Sequence, residues 1–138
     1  MSTPPKLEPG DSGVYATPAA SADLQKLAEA GAAAWKEVDL APVRSKEELM
    51  SAFSKALDLP SHFGGNWDAL EDSLGDSECL PHAAYVIRLR DAARAQRALK
   101  EEWGTLLDIL CETATYWKGR GKPFVVLVDS AAGLPAWK

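Results

Sequence analysis

Asp68, Glu71, Asp72 and Asp76 lie in the stretch LPSHFGGNWDALEDSLGD, residues 59–76, which holds no lysine or arginine to balance them. Asp68 and Asp72 are four residues apart and would share one face of a helix, where like charges cost roughly 0.2–0.5 kcal/mol. Carboxylates grouped in this way can hold a metal, work as an acid/base pair, meet a basic partner or simply be solvated. No His or Cys cluster joins them, and their spacing lacks the pattern of a calcium loop, so no metal is assigned. An acid/base pair assisted by His62 would need a nucleophile or oxyanion donor that the segment does not offer, and no catalytic residue is assigned either. A solvated helix face, the commonest fate of charged helix positions, and a surface for a cationic partner both stay open.

The distribution of charge bears on that choice. The chain of 138 residues has a formal net charge of −5, yet the window from Ala56 to Ile87 holds six acids (Asp58, Asp68, Glu71, Asp72, Asp76, Glu78) and no lysine or arginine. That window carries −6 and the remainder +1, so the negative charge belongs almost wholly to one segment. A nucleic-acid backbone needs Lys and Arg opposite it, which argues against nucleic acid and for a basic partner. No apolar run approaches the roughly 18–20 residues that cross a bilayer. Met1 to Gly10 shows no basic stretch followed by an apolar one, so the expectation is a cytoplasmic protein without membrane contact. Cys79 and Cys111 form no CxxC or metal-ligand pattern and are expected to be buried, reduced thiols. No cofactor is assigned.

The elements that must position the acids can be read coarsely. Residues 1–18, rich in Pro, Gly, Ser and Thr, are expected to form a loose, flexible tail. Ser21 or Asp23 could cap a helix through about Ala30, with Leu24, Leu27 and Ala28 on one face and Gly31 as its stop. Ala33 to Leu40 alternates as a strand would. Ser45 and Glu48 have capping-box spacing, and Leu49, Ala52, Phe53, Ala56 and Leu57 then give a helical apolar stripe up to Pro60. His82 to Leu89 reads as a strand and Asp91 to Lys100 as helix. A longer helix follows, with Leu106, Ile109, Leu110, Thr113 and Trp117 on one face and Gly119 and Gly121 closing it. Phe124 to Val128, FVVLV, has the continuous apolar character of a strand buried on both faces. Helices between apolar strands predict an α/β layer with a small parallel sheet and right-handed crossovers. Trp35, Trp103 and Trp117 are expected to be packing residues, because no basic groove surrounds them.

In that frame Gly64 and Gly65 give a flexible turn and Asn66 caps a helix from Trp67 to about Leu74. Trp67, Leu70 and Leu74 face the core, and Asp68, Glu71 and Asp72 face elsewhere. Asp68 falls in the first turn, where the helix dipole favours a carboxylate.

At these residues the sequence resembles the barstar family, whose members inhibit microbial ribonucleases. The shared pattern is Leu-Pro, aromatic-Gly-x-Asn, then Asp-Ala-Leu-x-Asp-x-Leu. It is met by Leu59, Pro60, Phe63, Gly64, Asn66, Asp68, Ala69, Leu70, Asp72 and Leu74 in register without a gap. The resemblance covers roughly residues 33–130, and the order of elements agrees. It implies a small three-stranded parallel sheet packed with helices, in a single domain over residues 19–130 with an N-terminal helical extension and a tail at 131–138. It also implies that the acidic helix and the preceding loop plug the basic active site of an extracellular-type ribonuclease or nuclease toxin, as an immunity protein of a bacterial cell would. The partner-facing residues so implied are His62, Gly64, Asn66, Asp68, Glu71, Asp72 and Asp76, with Asp72 the central inhibitory aspartate. Three contact aromatics of the best-known member are replaced, by His62, Glu71 and Ser77. Two enzyme-facing acids of its last long helix align with Tyr116 and Arg120. An interaction module of this fold that binds another cationic protein is the alternative expectation.

Overall fold

The computed structural model describes residue 10 and residues 12–17, 33–59, 66–76 and 78–129. Four strands, β1 (Gly13–Ala16), β2 (Ala34–Asp39), β3 (Tyr85–Arg90) and β4 (Phe124–Val128), form one sheet in the order β1-β4-β3-β2. Every pairing is parallel, with Val14 beside Val126, Val86 beside Val125 and Val38 beside Leu89. The helices among the described residues are α1 (Lys46–Leu57), α2 (Trp67–Leu74), α3 (Ala93–Ala98) and α4 (Lys100–Gly119).

The strand pattern follows from position in the sheet. β3 and β4 are interior, and all five residues of FVVLV are buried, as a strand covered on both faces requires. β2 lies at an edge and is the more polar strand, with Glu37 and Asp39 exposed and Val38 fully buried. Alternate strand residues face opposite ways. Val14, Val38, Ile87, Leu89, Phe124, Val126 and Val128 join the helices in the main core, whereas Val86, Val125 and Leu127 pack with Tyr15 and Trp35 on the other face.

The sheet has four strands where the family resemblance implied three. The additional one, β1, lies inside the stretch read from sequence as a loose tail. It is tied to β4 by its ladder, by the Thr17 amide donating to the Val128 carbonyl at 3.1 Å, and by the Phe124 amide donating to Ser12 Oγ at 3.0 Å. The helix expected between Ser21 and Ala30 and the tail at 131–138 lie outside the described residues.

The helices obey local rules. Ser45 Oγ accepts the Glu48 amide at 3.1 Å, and Glu48 Oε1 reaches back to accept the Arg44 amide at 3.1 Å. Leu49, Met50, Phe53 and Leu57 are the buried stripe of α1. The helical stretch expected from Asp91 to Lys100 is shorter, because Asp91 takes a left-handed backbone (φ 53°) to turn out of β3, and α3 starts at Ala93. The five-residue stripe read on α4 is buried throughout, joined by Trp103 and Ala114. Cys111 is exposed rather than buried, since it follows Leu110 by about 100° around the helix and points away from that stripe. Cys79 is half-buried.

At the carboxyl ends of the strands, Asp129 gathers several chain segments. Its carboxylate accepts Arg88 Nε and Nη2, both at 3.0 Å, the Thr17 hydroxyl at 2.7 Å and the Asp91 amide at 3.2 Å. Arg88 Nη1 lies 3.9 Å from Glu37. Burial by itself would raise the Asp129 carboxyl. The bonds from Arg88, Thr17 and Asp91 and the Arg88 charge outweigh it and hold the group below its ordinary value.

Candidate functional site

Helix α2 is short, so its ends decide whether it forms. Asn66 caps it, accepting the Ala69 amide on Oδ1 at 2.8 Å. Asp68 stands in the first turn, where the dipole favours a negative charge. Leu70 and Leu74 are fully buried, and Trp67 is half-buried with Lys46 Nζ 5.6 Å from its ring centroid. The core stripe therefore turns Asp68, Glu71 and Asp72 outward, and all three are exposed.

Asp76 is also exposed, but its carboxylate accepts the Glu78 amide at 2.8 Å, and its carbonyl accepts the amides of Cys79 and Leu80. It organises the turn after α2 as well as adding charge. His62 and Gly64 lie outside the described residues. Among the described residues, none of these four acids forms an ion pair, and no group of His, Cys, Asp and Glu is arranged to hold a metal. No described helix is long and apolar enough to cross a membrane.

The structure adds a residue that sequence reasoning missed. Glu71, Asp72 and Gly75 face Glu112, Thr113 and Tyr116 of α4 across a cleft of about 370 Å³. Glu112 thus stands with the acids of α2, one helical turn before Tyr116. The available signal was its place beside the α4 core stripe, but only the docking of α2 against that flank gives it meaning. Tyr116 is 42 % exposed, and the Arg120 guanidinium lies 4.4 Å from its ring centroid. A larger groove, about 620 Å³ between β2 and α1, contains none of the predicted site residues.

The carboxyl end of α2 is held from outside. Trp117 Nε1 donates to the Leu74 carbonyl at 2.8 Å, and the Lys122 ammonium donates to the Leu80 carbonyl. Burial lowers the Lys122 ammonium below its usual lysine range.

A helix of this length is sensitive to its amino-terminal cap. Asn66→Ala is expected to cost about 1 kcal/mol, seen as faster amide exchange in α2 with a smaller change in β3 and β4. Equal protection in α2 would show that Asn66 is not what starts the helix.

A parallel α/β sheet with its main core under α1, α2 and α4 thus presents an acidic helix face to solvent, with no ion pair on it among the described residues. The family model for barstar, described as barstar (barnase inhibitor), matches residues 33–129, and the chain belongs to that family. Members of this family are inhibitors rather than enzymes. No curated protein matches the chain.

Proposed function

We propose that this protein inhibits a small basic microbial ribonuclease or related nuclease toxin, covering its active site with α2 and the preceding loop. The observation that carries the reading is the exposed face of Asp68, Glu71 and Asp72, turned outward by Leu70 and Leu74 and without an ion pair among the described residues. An RNA-cleaving site must hold phosphate with Arg, Lys and His. A carboxylate presented from a rigid helix occupies that phosphate position and is relieved there of its repulsion from neighbouring acids. Asp72 supplies the central charge and Asp68 a neighbouring contact, Glu71, Asp76 and His62 tune the rim, and Asn66 with Gly64 shapes the loop. In the producing bacterial cell such a protein would act in the cytoplasm as the immunity partner of the nuclease.

The test is RNA cleavage by a panel of microbial ribonucleases with and without the protein, at low and moderate salt. Inhibition that weakens with salt supports a charge-steered complex, and absence of inhibition across the panel removes the reading's main support. Glu112→Gln is expected to lower the association rate roughly 1.5- to 5-fold at low salt, as for a solvent-exposed charge pair. The difference should shrink at high salt, and stopped-flow association at two salt concentrations measures it.

A second reading rests on Arg120, whose guanidinium stands beside Tyr116 at the wall of the acidic cleft. A cation there favours a partner whose basic surface leaves room for it, a cationic protein other than a ribonuclease. Capture of such a partner by a protein that inhibits no ribonuclease would favour this alternative.

A further inference from the structure

The charge pattern of α2 is matched to its dipole at one end only. Asp68 sits well in the first turn, but the last turn contains Glu71 and Asp72 and no basic residue. Carbonyls at a helix carboxyl end carry partial negative charge and lack intrahelical donors. Two acids beside them make that end prone to fray.

Donors reach it from the far end of α4. The Trp117 indole N–H caps the Leu74 carbonyl at 2.8 Å, and the Lys122 ammonium caps Leu80 in the turn that follows. The backbone makes this reach possible. Gly121 takes a left-handed conformation (φ 77°), its amide donates to the Lys118 carbonyl at 3.1 Å, and the Lys122 amide donates to the Trp117 carbonyl at 2.9 Å. This paired closure ends α4 and folds Lys122 back over the helix. Its Nζ then lies 4.2 Å from the Trp117 ring centroid and 5.2 Å from that of Tyr85. A cation between two aromatic faces is held by both rings.

We propose that Trp117 and Lys122 are positioning residues that lock the carboxyl end of α2, so that Glu71 and Asp72 meet a partner in one preset geometry. This rests on the reading of α2 as the partner face. A face ordered before contact loses less conformational freedom on binding, and the gain is read chiefly in slower dissociation.

The experiment uses the full chain and three variants. Trp117→Phe keeps a ring but removes the N–H, Lys122→Met keeps the stem but removes the charge, and Lys122→Arg keeps a cationic donor. Amide exchange by NMR is followed from Leu70 to Gly75 and, as an internal reference, in β3 and β4. A buried carbonyl without its donor loses about 1–3 kcal/mol, so Trp117→Phe should speed exchange in α2 about 5- to 150-fold beyond any change in the strands. Lys122→Met should act in the same direction, and Lys122→Arg should restore protection. Exchange in α2 that rises only as much as in β3 and β4 would mean a general stability role and overturn the proposal. If Trp117→Phe does not fold, the two Lys122 variants decide it by the same comparison. Against a ribonuclease inhibited by the wild-type chain, both loosened variants should dissociate faster, and unchanged dissociation overturns the proposal. Failure of the wild-type chain to inhibit any ribonuclease would count against the partner-face reading, while the exchange comparison still decides whether the lock exists.

Discussion

Asp72→Ala is expected to weaken a ribonuclease complex by roughly two to three and a half orders of magnitude in Kd, with little effect on the fold. Asp72 is exposed in the free protein, so removing it leaves the core and the Asn66 cap intact. The loss arises only in the complex, where the enzyme's phosphate-binding cations would stay buried without their counter-charge. Breaking a buried pair on one side costs about 3–5 kcal/mol, and each 1.4 kcal/mol is tenfold in affinity. Dissociation should carry most of the change, because the other acids still steer the encounter. Titration of ribonuclease activity with wild type and variant, together with an unchanged urea midpoint, makes the measurement. Inhibition that survives the substitution undamaged would remove Asp72 from the centre of the site, even if the protein proves to be an inhibitor.

The second large effect concerns stability. Asp129→Asn should cost about 2–3 kcal/mol, less than a fully buried pair because the two side chains keep 14 % and 22 % exposure. Arg88 would lose its counter-charge, and the amide would replace at least one of the acceptor positions now serving Arg88, Thr17 and Asp91. For a urea slope of about 1–3 kcal/mol per molar, the midpoint should fall by roughly 0.7–3 M. The pH dependence has a definite sign. The folded carboxyl is held below its unfolded value of about 3.9, so its contribution is present in full above that value. It fades as pH falls through the lower folded value. Wild type should therefore lose stability in acid more steeply than Asp129→Asn. Parallel acid profiles would show that the Asp129 charge contributes nothing.

Much of this architecture was legible because its determinants are local. Ser45 and Glu48 announce the start of α1, the stripe from Leu106 to Trp117 sets the buried face of α4, and FVVLV has the character of a strand buried on both faces. The acidic face was legible for the same reason, since Leu70 and Leu74 fix which way Asp68, Glu71 and Asp72 point. The misses have non-local causes or a neglected angle. GVYA in β1 is four residues long amid turn formers, and its partners Val125 to Val128 lie more than a hundred positions away. Glu112 becomes part of the cleft only when α2 docks beside it. Nothing near Leu74 in the chain reveals that its carbonyl is capped by Trp117. Cys111 was a local error, because its angle from Leu110 already turned it outward.

The placement of β1 beside β4 has a consequence for how the protein comes into being. During synthesis β1 is made first of the described strands, yet it has no edge to pair with until β4, made last, has emerged. Closing so long a loop is entropically costly and slow, and pairing of this non-local kind delays folding. α4 and the turn after it, which supply Glu112 and the donors at the end of α2, are likewise made after the acidic segment. A nascent chain therefore carries its acidic segment without the scaffold that aims it until residues 100–128 have followed. The geometry of the acidic face should therefore be set in one step, once β4 has been made, rather than grow with chain length.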